Sequence, residues 1–377
     1  MNLVVRVAAV GVLWCVAQGI AQDARVVRAG SFVAPDGTLQ SPAVLVVRDG
    51  RISAIGGEIP AGLPVDDFGD AVISPGLIDA YAALTATGQT FEFGDVLSSE
   101  VNTRDAFDRY SAQLEAALAA GVTTFALFPD ERSLIGGQVA LCQTYGGSGA
   151  AGVLPVEFPP LAVSLSEAVY QPTREPTSRS GALSLLRGAL SRGSNESDPA
   201  LAQVLAGKRP LAVLAPRDED VRSALALADE FKLRLLILHT RDARGIANTL
   251  AARKLGVVVG PLSLTSDTRD ASAAAIFDKA GVPVAIAGGL PRQNADSLRI
   301  GAAVAARHGI GAAAARRAIT FTAAELLGVA DHVGALRPGL RADLVVFSGD
   351  PLDLRSRRVA TYVGGRPISR LHSEVQP

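Results

Sequence analysis

Histidine is the side chain best suited to binding a catalytic metal near neutral pH, and this 377-residue sequence contains four of them. His239 directly follows the apolar run 236–238, which is typical of a buried strand. His308, His332 and His372 fall in a late helical stretch, a junction and the C-terminal tail, away from that strand end. Catalytic metal sites normally have three protein ligands, so His239 alone cannot hold such a metal. Hydrogen bonding at a strand end is the chemistry that remains for His239.

The bulk composition predicts a globular chain with one large core. Hydrophobic residues make up 48% of the sequence and the formal net charge is -1, so no overall field attracts nucleic acid or acidic membranes. Arginine outnumbers lysine 32 to 4, which indicates a GC-rich, bacterial source. Cys142 lies within an apolar run with no histidine near it in sequence, and we interpret it as a buried small hydrophobe.

The N-terminus is interpreted as a signal peptide covering residues 1–21. A basic start ends at Arg6, an apolar run follows from Val7 to Val16, and small residues precede Gln22. The sequence therefore predicts a periplasmic or secreted protein with no membrane span after cleavage. A retained membrane anchor is the alternative, but the apolar run is shorter than the roughly 20 residues that a spanning helix needs.

The rest of the chain shows two kinds of pattern. Short β-rich runs at both ends, in 24–73 and 334–370, predict one small β-sandwich built from the N- and C-terminal segments. Residues 74–333 alternate apolar runs with alanine-rich helical stretches, which predicts an α/β fold with a parallel sheet covered by helices. A region of roughly 250 residues is the usual size of a (β/α)8 TIM-like barrel, whose active site lies at the C-terminal strand ends. A doubly wound open sheet remains the alternative.

Two stretches carry a family resemblance. Residues 74–79, Ser-Pro-Gly-Leu-Ile-Asp, follow the N-terminal strands, and a long C-terminal stretch includes Ala342-Asp343-Leu344-Val345-Val346 and Gly349-Asp350-Pro351. Both resemble the metal-dependent amidohydrolase superfamily, at the entry to its barrel and the exit from it. Residues 134–138 and 217–220 resemble the imidazolonepropionase-like branch. The resemblance implies a (β/α)8 barrel and hydrolysis by water bound to Zn²⁺ or a similar divalent metal.

The family's metal ligands are mostly replaced in this sequence. The resemblance places Tyr81 and Ala83 where strand 1 of the family has two histidines. It places Leu214 at the strand 5 histidine and Gly289 at the strand 8 aspartate, and only His239 of strand 6 is retained. None of the four lysines is placed to bridge two metals. We therefore predict no metal cofactor, and if the alignment is right these five positions must share one pocket.

The resemblance also places Arg217 and Arg241 after adjacent strands, beside His239 and facing Tyr81. A guanidinium binds a carboxylate or phosphate through two parallel hydrogen bonds, so these four residues predict a site for a small anionic ligand. Salt-bridged or solvated arginines are the commoner outcome for such residues. Asp79 is expected to order the turn at the end of strand 1.

Three functions remain open at this point. The first is an exported pseudoenzyme that binds a small molecule or pairs with an intact relative or a second copy of itself. The second is a hydrolase acting on C–N bonds other than peptide bonds, through an unrecognised arrangement of residues. The third is a barrel with a purely structural role.

Overall fold

The structure, a computed structural model, describes residues 24–83, 92–145, 152–193, 198–241 and 243–368. The predicted signal peptide and His372 lie outside these residues. The strands are Arg25–Ala29 (β1), Ser31–Val33 (β2), Leu39–Gln40 (β3), Ala43–Arg48 (β4), Arg51–Ile55 (β5), Val65–Asp67 (β6), Val72–Pro75 (β7), Leu77–Ala82 (β8), Val122–Leu127 (β9), Ile135–Gln138 (β10), Ala140–Gln143 (β11), Gly152–Val153 (β12), Leu161–Ser164 (β13), Leu211–Leu214 (β14), Leu235–Leu238 (β15), Gly256–Val259 (β16), Val284–Ile286 (β17), Leu344–Phe347 (β18), Arg358–Val363 (β19) and Arg366–Pro367 (β20). The helices are Ala112–Ala119 (α1), Arg179–Arg192 (α2), Pro199–Leu205 (α3), Asp218–Phe231 (α4), Ala247–Ala252 (α5), Thr268–Lys279 (α6), Ser297–Arg307 (α7), Ala312–Ala318 (α8) and Phe321–Leu327 (α9).

Two sheets made from the chain ends share one apolar core. The first sheet has the order β5-β4-β1-β6, and the second has the order β20-β19-β18-β7-β2-β3. In the second sheet β18 pairs antiparallel with β7, with Val345 opposite Ser74, so the end of the chain completes a sheet that its beginning starts. Leu45 of the first sheet and Ile73 and Val346 of the second belong to the same buried cluster. Burial between these two faces is what stabilises strands that are too short to persist alone.

A parallel sheet covered by helices forms the centre of the molecule. Strands β13, β14, β15, β16 and β17 are neighbours in that order and run parallel. β14, β15 and β16 are buried along their whole length, as expected for strands covered on both sides. Helix α4 follows β14 and has acidic residues in its first turn, where the helix dipole favours negative charge. This arrangement confirms the α/β class.

The strand arrangement differs from a closed, all-parallel barrel. β10 and β11 are separated by Val139 alone, and they pair antiparallel with β13 and β9 respectively, so one extended segment joins two sheets. At the other side β8 and β17 lie next to each other, but no strand ladder joins them among the described residues. A side chain replaces the ladder, because the Gly288 N–H donates to Asp79 Oδ1 at 2.8 Å. In the part of the chain that the structure describes, no helix is long and apolar enough to cross a membrane.

Candidate functional site

A cavity of about 320 Å³ lies at the C-terminal ends of the central strands. Tyr81 lies near the end of β8 and Leu214 ends β14, while His239 directly follows β15. Ala83 and Gly289 come just after β8 and β17. All five of these residues line the cavity. The structure thus brings together the five positions at which the resemblance places the family's metal ligands.

The ring of Tyr81 occupies the floor of this cavity. It stacks on Phe128 with 4.6 Å between ring centroids, and it lies edge-on to His239 at 4.3 Å. Such contacts typically contribute about 0.5–1.5 kcal/mol beyond the area they bury. His239 Nε2 is buried and has no hydrogen-bond partner within the described ranges. The tyrosine ring therefore packs directly against the one retained imidazole.

Burial keeps both rings uncharged. The pKa of His239 is lowered to about 4, first by burial and second by the positive charge of Arg241. The pKa of Tyr81 is raised well above its usual value, first by burial and then by the carboxylates of Glu131 and Asp130. At neutral pH the floor of the cavity is thus a neutral imidazole and a protonated phenol.

Asp79 links the end of β8 to the segment after β17 through hydrogen bonds. Its side chain is fully buried, and Oδ1 accepts hydrogen bonds from the Tyr81 and Gly288 amides at 3.1 and 2.8 Å. Oδ2 has no hydrogen-bond partner among the described residues. Burial raises the pKa of Asp79 to about 7, and the backbone amides oppose this shift. As expected from the sequence, Asp79 orders the end of β8, and it also holds the segment after β17 in place.

Four charged side chains surround the opening of the cavity: Asp130, Glu131, Arg241 and Arg292. Asp130 is bound by Arg132, whose Nε and Nη2 donate to its two oxygens at 2.8 and 3.0 Å. Arg241 and Arg292 are 71% and 75% exposed, and their nearest carboxylate oxygens, on Asp270 and Asp130, are each 4.0 Å away. At that distance neither arginine is hydrogen-bonded to its acidic neighbour, so both remain available to a ligand.

Comparisons with known proteins agree with this geometry. The Amidohydrolase family model matches residues 240–368. An amidohydrolase from Thermotoga maritima is 24% identical with a TM-score of 0.83, and the similarity covers 92% of this chain and 99% of that one. The family match covers the last third of this chain, and the likeness to the Thermotoga protein shows that the two proteins share a fold.

Other proteins similar to this chain are named for different activities. Molinate hydrolase is 18% identical with a TM-score of 0.61, over 94% of this chain and 96% of that one. A putative prolidase from Bifidobacterium longum is 19% identical with a TM-score of 0.59, over 92% and 95% of the two chains. An allantoinase from Streptomyces avermitilis is 30% identical over 107 residues, which is 28% of this chain and 20% of that protein's length. These matches do not test the imidazolonepropionase-like branch, which stays a prediction.

The residues of this amidohydrolase fold do not fit the divalent metal that the family implies. Ala83, Leu214 and Gly289 offer no side-chain donor, and Tyr81 offers a phenol that burial keeps protonated. The described ranges contain no group of three or more His, Cys, Asp or Glu residues placed to hold a metal ion. His239 would be a single ligand where such sites normally have three.

The backbone at Gly289 also departs from what an aspartate ligand would need. Gly289 has a φ of +75°, and a Cβ added there would lie 2.9 Å from Cγ of Pro261. Atoms that close require the ring or the backbone to shift, and a side chain is strained at this φ in any case. The backbone conformation at position 289, as well as the residue type, is therefore unsuited to an aspartate ligand.

Arg217 is placed differently from its prediction. It is not among the described residues that line the cavity, whereas Arg241, His239 and Tyr81 do line it. Its Nη1 donates to Glu167 at 2.6 Å and its Nε lies 3.4 Å from Asp220 at the start of α4. These ion pairs hold Arg217 beside Glu167 and the start of α4. The predicted anion-binding pair of Arg217 and Arg241 is therefore not formed.

Arg292 takes the role of second arginine at the cavity, and the sequence reasoning missed it. It comes six residues after the end of β17, and Gln293 beside it also lines the cavity. The signal was present in the sequence, because the residues that follow each parallel strand gather at one end of the sheet. The sequence prediction considered the residues that follow β14 and β15, but not the loop that follows β17.

Proposed function

We propose that the protein is a metal-independent binder of a small anionic molecule, built on an amidohydrolase scaffold of the (β/α)8 type that no longer carries out the family's hydrolysis. One observation carries this proposal: the five ligand positions converge on one cavity, where the Tyr81 ring packs on His239 and three other positions have no donor atom. Losing the metal ligands while keeping a cavity is what a change from catalysis to binding requires.

The charges around the cavity support an anionic ligand. The positive charge of Arg132 neutralises the negative charge of Asp130. The other charges that line the cavity are the positive charges of Arg241 and Arg292 and the negative charge of Glu131. Charge-assisted hydrogen bonds from arginine to a carboxylate contribute on the order of 1.5–3 kcal/mol each when partly shielded from water. Two such contacts contribute about 3–6 kcal/mol, so the rest of the roughly 8 kcal/mol for a micromolar dissociation constant has to come from other contacts in the cavity.

The setting of this function is proposed from the sequence. The basic start and short apolar run of residues 1–21 support export to the periplasm or the exterior. Pairing with a second copy or with an intact relative would let the binding of the anion regulate another protein.

Hydrolysis of a C–N bond is the second candidate. It is supported by the family match over residues 240–368 and by the full-length likeness to hydrolases such as molinate hydrolase. Under this alternative, ligands from elsewhere would have to replace the four missing donors.

Metal analysis separates the two candidates. We expect the purified mature protein to retain only substoichiometric zinc after dialysis, with no change in melting temperature when zinc is added, because a single imidazole binds zinc weakly. The measurement is elemental analysis of the wild type and of His239→Ala. Retention of about one zinc ion per chain that is lost in His239→Ala would favour the hydrolase instead.

Anion binding is tested on three arginines. In a thermal-shift screen of small carboxylates and phosphates, we expect stabilisation of the wild type and at least about tenfold weaker binding in both Arg241→Ala and Arg292→Ala. Arg217→Ala is the matched control, since its ion pairs hold it outside the cavity. An unresponsive wild type, or equal losses in all three variants, would refute the anion site.

A further inference from the structure

Of the two carboxylates that line the cavity, Glu131 is the one with no hydrogen-bonded ion pair among the described residues. Asp130 and Glu131 both line the cavity, but both oxygens of Asp130 are held by Arg132. Glu131 is half-buried, and within the described ranges its side chain makes no ion pair or hydrogen bond. A cationic group of a ligand in this cavity would therefore find in Glu131 a carboxylate with its hydrogen-bonding capacity unused.

Charges of both signs line the same cavity as the two rings. Burial raises the pKa of Tyr81, the negative charge of Glu131 adds to this effect, and the positive charge of Arg292 opposes it. Arg241 acts on His239, where its positive charge adds to the effect of burial in lowering the pKa of the imidazole. Because Glu131, Arg241 and Arg292 line one cavity together with these rings, a small ligand bound there meets charges of both signs.

A simple anion would leave this arrangement incomplete. It would pair with Arg241 and Arg292, but it would bring negative charge close to Glu131, and like charges in a partly dehydrated site repel each other. A ligand with an ammonium group as well as a carboxylate gives Glu131, as well as the two arginines, a partner of opposite charge. The volume of about 320 Å³ suits a molecule of amino-acid or dipeptide size.

We propose that the ligand is a small zwitterion, whose carboxylate binds Arg241 and Arg292 and whose ammonium group binds Glu131. The carboxylate half of this inference rests on the proposed anion-binding function. The ammonium half rests on Glu131 alone, so the two can be tested separately.

The test uses three matched pairs of compounds on the full-length mature protein: glycine with acetate, 4-aminobutyrate with butyrate, and 6-aminohexanoate with hexanoate. Calorimetric titration of the wild type is expected to show at least about tenfold tighter binding of the amino form in the pair whose charge separation matches the cavity. In Glu131→Gln the amino and plain carboxylates should bind with about equal affinity, because the amide keeps the shape of the side chain and removes its charge. Glu58→Gln, at an exposed position of the sandwich, is the control for loss of one negative charge and should keep the preference.

The outcomes distinguish the two proposals. Equal binding of amino and plain carboxylates by the wild type overturns the zwitterion and leaves the anion site standing. A preference that persists in Glu131→Gln also overturns it, as does binding of butylamine as tight as that of 4-aminobutyrate. If none of the compounds binds, both the zwitterion and the anion site are wrong.

Discussion

Replacing Asp79 with asparagine is expected to remove a pH-dependent loss of stability of up to about 4 kcal/mol. The pKa of Asp79 is raised from 3.8 to about 7 by burial. Between these values the unfolded chain releases the proton and the folded protein keeps it, so the wild type loses free energy of unfolding as pH rises from about 4 to 7. Asparagine can still accept the amide hydrogen bonds through Oδ1 but does not titrate.

The measurement is the free energy of unfolding by urea from pH 4 to 8. The stability of Asp79→Asn relative to the wild type should rise from about pH 4 to pH 7 and then level off, whatever its offset at pH 4. Asp70→Asn, which removes an exposed carboxyl group, should give a curve parallel to that of the wild type. Parallel curves for Asp79→Asn as well would mean that the buried carboxyl does not hold its proton.

Replacing His239 is expected to change stability with the opposite pH dependence. Burial and Arg241 lower the pKa of His239 from 6.5 to about 4. As pH falls between these values, the unfolded chain takes up a proton that the folded protein does not, so the wild type loses up to about 3 kcal/mol on acidification. His239→Asn removes this loss, and asparagine is tolerated at the positive φ of 59° that this residue adopts.

The two variants together separate the contributions of Asp79 and His239 to the pH dependence of stability. In the wild type the contributions of Asp79 and His239 oppose each other between about pH 4 and 6.5, so their sum changes little there. Relative to the wild type, His239→Asn should gain stability as pH falls, whereas Asp79→Asn should gain stability as pH rises. Slopes of the same sign in both variants would show that one of the two groups is not buried as the structure describes.

Much of the fold was accessible from the sequence. The switch between short β-rich runs at the ends and a β-α rhythm in the middle predicted the α/β class, which the parallel strands β13 to β17 confirm. Motifs at residues 74–79 and in the C-terminal stretch predicted the amidohydrolase superfamily. These features are local, because strand and turn patterns depend on neighbouring residues.

The strand β13 was not predicted from the sequence, for a local reason. β13, Leu161–Ser164, is short and follows Pro159 and Pro160, so its apolar run is hard to distinguish from a loop. Yet β13 lies between β10 and β14 and is buried along its whole length. Its place in the sheet is determined by its neighbours rather than by its own residues.

The sequence by itself determined which residues stand at the ends of the strands, and hence that Tyr81, Ala83, Leu214, His239 and Gly289 meet at one cavity. Only the tertiary structure decided which charges are free there. Arg217 is ion-paired with Glu167, 50 residues away in the sequence. Arg292 lies 4.0 Å from Asp130, its nearest carboxylate, and is not hydrogen-bonded to it. It also decided that Asp79 closes the seam between β8 and β17, a contact across 209 positions. Ion pairing and burial depend on segments that are distant in the chain, so no local pattern in the sequence reports them.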